Sequence, residues 1–159
     1  MGLRRRSREK TLQILYSMEF NKNQTIQEAV DSYLTYFNIA KPADKSELAN
    51  NEQQQPLEEE SVFITYLLNT VRNNINEIER LIEEAAINWR IDRIALIERN
   101  ILRMSVAELI DETNGVPFKA TINEAIDIAK KFGSKESSSF VNGIINKVAD
   151  IIDIKSKKL

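Results

Sequence analysis

Residues 117–148, PFKATINEAIDIAKKFGSKESSSFVNGIINKV, decide the fold. They read as two amphipathic helices joined by an elbow at Lys131-Phe132-Gly133-Ser134. Thr121 and Glu124 have capping-box spacing, which predicts that the first helix starts there. Ile122, Ala125, Ile126, Ala129 and Phe132 keep helical spacing. Gly133 follows at once, where a left-handed C-cap favours a residue without a Cβ. Ser137, Ser138 and Ser139 offer N-cap hydroxyls for the second helix, whose apolar stripe is Val141, Ile144, Ile145, Val148 and Ile152. At about 100° per residue, Phe140 sits at the edge of this stripe beside Gly143 and Lys147. It also falls in the predicted first turn, where free N–H groups and the helix dipole favour anions.

Outward from this stretch the same 3.6-residue period recurs, and only 4 glycines and 3 prolines interrupt it, so the fold class is all-α. With 159 residues, one domain over 1–159 is expected; such a chain buries roughly 70% of its unfolded surface without a staple. Cysteine is absent, so there is no disulfide or thiolate site; this is compatible with a reducing cytoplasm. Histidine is absent too, which removes the commonest zinc ligand and general base. There is no HExxH, no phosphate-cradling glycine loop and no nucleophile with a base. Each carboxylate has a helix-surface or capping explanation. No catalytic residue, metal site or cofactor is therefore expected. No apolar run approaches the roughly 20 residues of a membrane span, and the basic N-terminus lacks a signal peptide's apolar run. The net charge of −2 is slight, so only the distribution of charge can point to nucleic acid.

Arg4, Arg5, Arg6, Arg8 and Lys10 stand against Glu9 at the start of a first helix marked by Leu12, Leu15, Tyr16, Met18 and Phe20. Cations at a helix N-terminus oppose the dipole, at a cost of about 0.3–1 kcal/mol each. An external anion reverses that cost; a merely solvating basic tip is the other reading. Thr25 and Glu28 form a second capping-box pattern before Ile26, Ala29, Val30, Tyr33, Leu34 and Phe37. Periodicity then fails: residues 38–58 are polar and read as a surface insert or loop. A third helix is expected from about Glu59, with Phe63, Tyr66, Leu67, Val71 and Ile75, and a re-start at Asn74 and Glu77. Trp89 at the end of that run reads as a core-edge residue or, less simply, a ligand platform. Ile91 to Ile110 reads as the central helix, apolar on several sides, with Asp92, Glu98, Arg99, Arg103 and Glu108 at its ends or on a narrow exposed seam. Asn114-Gly115-Val116-Pro117 is a turn. Residues 153–159 are expected to fray into a mobile basic tail.

Three motifs, RRRSREKTLQILYSMEF (Arg4–Phe20), IERNILRMSVAEL (Ile97–Leu109) and VPFKATINEAIDIAKKFGSKESSSFVNGIINK (Val116–Lys147), are similar to those of the NusB family of transcription antitermination factors. The resemblance implies a compact bundle of seven helices, cytoplasmic and without enzymatic activity. It implies binding of single-stranded boxA RNA of nascent transcripts together with NusE, a small-subunit ribosomal protein. The pair helps assemble an antitermination complex on RNA polymerase, notably in ribosomal RNA transcription. Carried onto this sequence, the RNA-binding residues are Arg4, Arg5, Arg6 and Arg8 with Phe132, Lys135, Glu136 and Phe140; the NusE-binding residues are Tyr16 and Glu98. The chain departs from compact members in its polar insert, and it has Ala86 where some members place an aromatic. Trp89 is either a substitute for that aromatic or core.

Phosphates call for cations and unpaired bases for exposed aromatic faces, and the arginines and Phe140 supply the two. Two other readings stay open. One is a NusB-like accessory domain of the kind fused to RNA cytosine methyltransferases; the end at Leu159 without an α/β segment favours a stand-alone factor. The other is a protein-interaction bundle without direct RNA binding. A homodimer is a further partner that the sequence leaves open.

Overall fold

The computed structural model describes residues 2–40 and 54–157, excluding the side chains of 37–40 and 54–57. Among these residues the secondary structure is wholly helical: α1 (Leu3–Met18), α2 (Ile26–Ala40), α3 (Gln54–Asn73), α4 (Ile75–Ala85), α5 (Leu96–Ile110), α6 (Phe118–Phe132) and α7 (Lys135–Lys157), with short 3-10 turns at Ile91–Arg93 and Glu112–Asn114. This is the expected all-α class. The chain divides into two compact units, Met1–Asn69 and Thr70–Leu159.

In the first unit Leu12, Ile14 and Leu15 of α1, Ile26, Ala29 and Val30 of α2, and Ile64, Leu67 and Leu68 of α3 are buried. The α2 start is the predicted capping box. Glu28 N–H donates to Thr25 Oγ1 at 3.1 Å, and Thr25 N–H donates back to Glu28 Oε2 at 3.2 Å. Helix α2 continues to Ala40 and α3 already begins at Gln54, so both margins of the 38–58 segment are helical rather than looped. Pro56 suits this because a first helical turn needs no N–H from it. Residues 41–53, the middle of the predicted insert, lie outside the described residues.

In the second unit α5 is the centre, packed by α4, α6 and α7. Asn100, Ile101, Leu102 and every residue from Met104 to Leu109 are buried. The helix is shorter than predicted. Ile91–Arg93 forms a separate 3-10 turn, and Ala95 is extended at ψ 145°. The Arg99 guanidinium closes this bend by donating to the carbonyls of Ile94 at 2.7 Å and Asp92 at 3.1 Å. Of the five predicted ionic residues, Asp92, Glu98 and Arg99 stand at or just before the start of α5, as expected. Farther along, where three helices cover α5, Glu108 is buried, and the half-buried Arg103 donates to Glu79 Oε1 at 2.7 Å and Asn100 Oδ1 at 3.1 Å, in place of an exposed seam. The α4 re-start falls at Asn74 as expected, but the Asn74 amide donates back to the Thr70 carbonyl instead of capping forward.

The deciding stretch folds as two helices with other caps than its spacing suggested. Gly115, left-handed at φ 69°, and the extended Pro117 turn the chain so that α6 starts at Phe118. Thr121 is consequently a buried residue inside the helix, its N–H donated to the Pro117 carbonyl, and no capping box forms with Glu124. Gly133 is extended, at φ −100° and ψ −171°, and is not a left-handed cap. Its hydrogen is needed for space. A Cβ there lies 2.5 Å from Ser137 Cβ and Oγ and 2.9 Å from the Ala129 carbonyl oxygen. Helix α7 starts at Lys135, so the serine run lies within it and Phe140 is in its second turn. The predicted frayed tail is also helical as far as Lys157. Lys157 pairs with Asp153 at 3.0 Å, and Lys155 approaches Glu84 at 3.9 Å.

Candidate nucleic-acid interface

In the first unit, α3 organises the basic end of α1. Arg4 and Arg8 are one helical turn apart, as are Arg6 and Lys10; these i,i+4 like-charge pairs repel on a bare helix. Phe63 and Glu60, one turn apart on α3, each hold one pair. The Arg4 guanidinium lies 5.4 Å and the Arg8 guanidinium 5.5 Å from the Phe63 ring centroid. Glu60 Oε1 accepts from Arg6 Nε at 2.9 Å, and its Oε2 accepts from Lys10 Nζ. Burial pushes the Glu60 carboxyl up, but the hydrogen bonds and charges of Lys10 and Arg6 outweigh it and hold it below the usual range. Nearby, the Tyr33 hydroxyl donates to Gln13 Oε1 at 2.7 Å. Its burial and the Glu60 and Glu9 charges push it up to about 12. The four sequence-predicted arginines are therefore unequal. Arg4 is exposed, Arg5 and Arg6 are half-buried, and Arg8 is buried.

In the second unit, Phe132 ends α6 half-buried with Lys131 Nζ 5.5 Å from its ring centroid. Lys135 and Glu136 are exposed in the first turn of α7. Phe140 is half-buried and meets Trp89 edge-to-face, centroids 6.2 Å apart at 78°. Trp89 is 52% exposed, which removes the core-edge reading: it lies beyond the end of α4, its N–H donated to the Ala86 carbonyl. The two rings, with Ile87, Gly143, Ile144 and Lys147, line an open groove of about 390 Å³. Sequence reasoning placed Phe140 at the edge of its stripe but missed this pairing, because Trp89 and Phe140 lie 51 positions apart and helical spacing does not tell which ring meets which.

Of the predicted partner residues, Tyr16 is 39% exposed and packs edge-on against the 71% exposed Phe20, at 5.4 Å. Glu98 is half-buried and accepts the Ser137 hydroxyl proton. Among the described residues there is no cluster of acids that could hold a metal, and no helix long and apolar enough to cross a membrane.

An all-helical chain with cations held on an aromatic face and exposed rings beside a lysine belongs to the class of helical binding proteins. The chain is a member of the NusB family: residues 5–150 match the family model described as "NusB family". Among its relatives, the transcription antitermination protein NusB of Myxococcus xanthus is 37% identical over 94% of this chain and 96% of its own length. That of Thermodesulfovibrio yellowstonii is 34% identical over 92% and 91%. The solved NusB of T. maritima has the same fold, with a TM-score of 0.72 at 25% identity, covering 94% of this chain and 92% of that one. A solved complex of antitermination factors NusB and NusE with double-stranded RNA contains a chain of the same fold, at TM-score 0.73 and 24% identity, covering 95% and 98%.

Proposed function

We propose that this chain is a non-enzymatic, cytoplasmic RNA-binding antitermination factor. With NusE it binds boxA RNA and helps assemble an antitermination complex on RNA polymerase. The carrying observation is the exposed Trp89 edge-on to Phe140, in a groove flanked by Lys147. Unpaired bases stack on such rings, and a lysine beside them takes a phosphate. Lys135 adds charge at the elbow, and the exposed Glu136 carboxylate accepts from base amino groups or a 2′-hydroxyl. In the first unit Arg4 is the foremost phosphate ligand, with Arg5 and Arg6 beside it. Arg8 supports them by fixing Phe63 from its buried side. The exposed Tyr16–Phe20 pair is a suitable apolar contact for a protein partner. The NusB–NusE complex with RNA supports the partner assignment, since it is a chain of this fold that is held there.

Trp89 is the sole tryptophan, so its fluorescence reports on the groove directly. Titration with single-stranded boxA RNA is expected to change its emission, and a duplex of the same sequence serves as comparison. Phe140→Ala is expected to weaken binding by about 1–3 kcal/mol with the melting temperature retained. A lowered melting temperature with unchanged affinity makes Phe140 a packing residue and leaves the protein-interaction reading in its place.

A further inference from the structure

Ser137 occupies the inside of the elbow, 1% exposed, with its full hydrogen-bonding capacity used. A hydroxyl has one proton to donate and two lone pairs to accept with. The proton goes to Glu98 Oε1, 2.5 Å away in the first turn of α5. The lone pairs receive the Ser134 backbone N–H at 2.9 Å and the Ser134 hydroxyl at 3.1 Å. Because the Ser137 proton is committed to a carboxylate, Ser134 is the donor of that last bond. Hydrogen bonds to a carboxylate are the short, strong ones. Gly133 completes the arrangement, since any Cβ there collides with Ser137.

The direction of control follows from burial. Helix α5 is enclosed over most of its length, so Glu98 projects from the best-fixed element of the unit. The elbow, by contrast, is a two-residue connection between α6 and α7. We propose that Glu98 is a positioning residue for the elbow: acting through Ser137, it sets the placement of Phe132, Lys135, Glu136 and the start of the helix that carries Phe140. This rests on the RNA-binding reading above. It gives Glu98 a role apart from any contact with a protein partner. A charge reversal such as Glu98→Lys mixes the two roles, whereas changes in the hydrogen bond alone separate them.

The test uses the full chain without NusE, at a temperature well below unfolding. Glu98→Ala is expected to weaken RNA binding about fivefold, the effect of one lost buried hydrogen bond, and Ser137→Ala at least as much, since it also takes the acceptor from both Ser134 donors. The double variant is expected to be no weaker than Ser137→Ala alone, because that change already removes the link to Glu98. Glu98→Gln retains an acceptor for the Ser137 proton and is expected to rescue the loss seen in Glu98→Ala. Hydrogen exchange supplies a second readout without RNA: the Ser134 amide is expected to lose protection in both alanine variants and to keep it in Glu98→Gln. Wild-type affinity in a folded Ser137→Ala overturns the proposal. So does equal weakness of Glu98→Gln and Glu98→Ala, which makes the charge itself the contact. Should Ser137→Ala not fold, the Glu98→Ala and Glu98→Gln pair decides by the same criteria. If the wild-type chain binds no RNA, the RNA reading fails, and Ser134 protection still decides whether Glu98 holds the elbow.

Discussion

Gly133 shows how one hydrogen atom shapes the elbow between α6 and α7. Its backbone is extended and unstrained, so conformational freedom is not the reason for glycine here. The reason is contact: a Cβ at 2.5 Å from Ser137 forces the elbow apart. Gly133→Ala is therefore expected to destabilise the protein by about 1–3 kcal/mol, the usual cost of overpacking a closed site. Denaturant unfolding measures this, and a change below a few tenths of a kcal/mol means the elbow yields freely. The sequence marked Gly133 as special for the wrong reason. A glycine after a helical stripe suggests a left-handed cap, while the close approach of Ser137 is visible only after the elbow has closed. Thr121 misled in the same way. Its spacing to Glu124 is that of a capping box, but Gly115 and Pro117 had already turned the chain into a helix upstream. The Thr25–Glu28 box held because both of its partners are local and nothing upstream competes.

At the scale of the element, α1 shows how helices keep cations together. Two like-charge pairs on one helix become tolerable because α3 supplies an aromatic ring to one and a carboxylate to the other. Removing the carboxylate takes a buried acid away from Arg6 and Lys10, so Glu60→Ala is expected to cost roughly 1–3 kcal/mol. The sign of the pH dependence follows from the depressed Glu60 titration. The unfolded chain protonates this carboxyl near its ordinary 4.5, before the folded chain does, so the stabilisation is fully present above 4.5 and lost as pH falls through the lower folded value. The stability gap between wild type and Glu60→Gln should be widest near neutrality and close on acidification. Urea titrations at several pH values test it, and a gap that widens with acid contradicts the pairing. The basic end of α1 was legible in the sequence. Its counterparts were not, since Glu60 lies 54 positions from Arg6, at what read as the start of a third helix with nothing to tell which helix it faces.

For the whole molecule, charge is a poor guide. The 22 basic residues are slightly outnumbered by 24 acidic ones, so no overall field attracts a polyanion. Screening makes that total unimportant, because beyond about 8–10 Å at physiological salt an RNA feels only local charges. Binding should therefore be salt-dependent despite the negative net charge. Arg4→Ala is expected to make the slope of log K against log salt shallower by about 0.7, one phosphate contact on a single strand. Filter binding across a salt series checks this, and an unchanged slope removes Arg4 from the interface.

By itself the sequence determined the helical class, the family, and the absence of cysteine and histidine chemistry, because apolar periodicity, motif spacing and composition are local properties of the chain. Only the tertiary structure decided which side chains are available. It buried Arg8 behind Phe63 and left Trp89 exposed against Phe140. It also turned Glu98 toward Ser137. Exposure and hydrogen-bond partners depend on which helices close over a residue, and helical spacing fixes the face on which a side chain lies without fixing what covers that face.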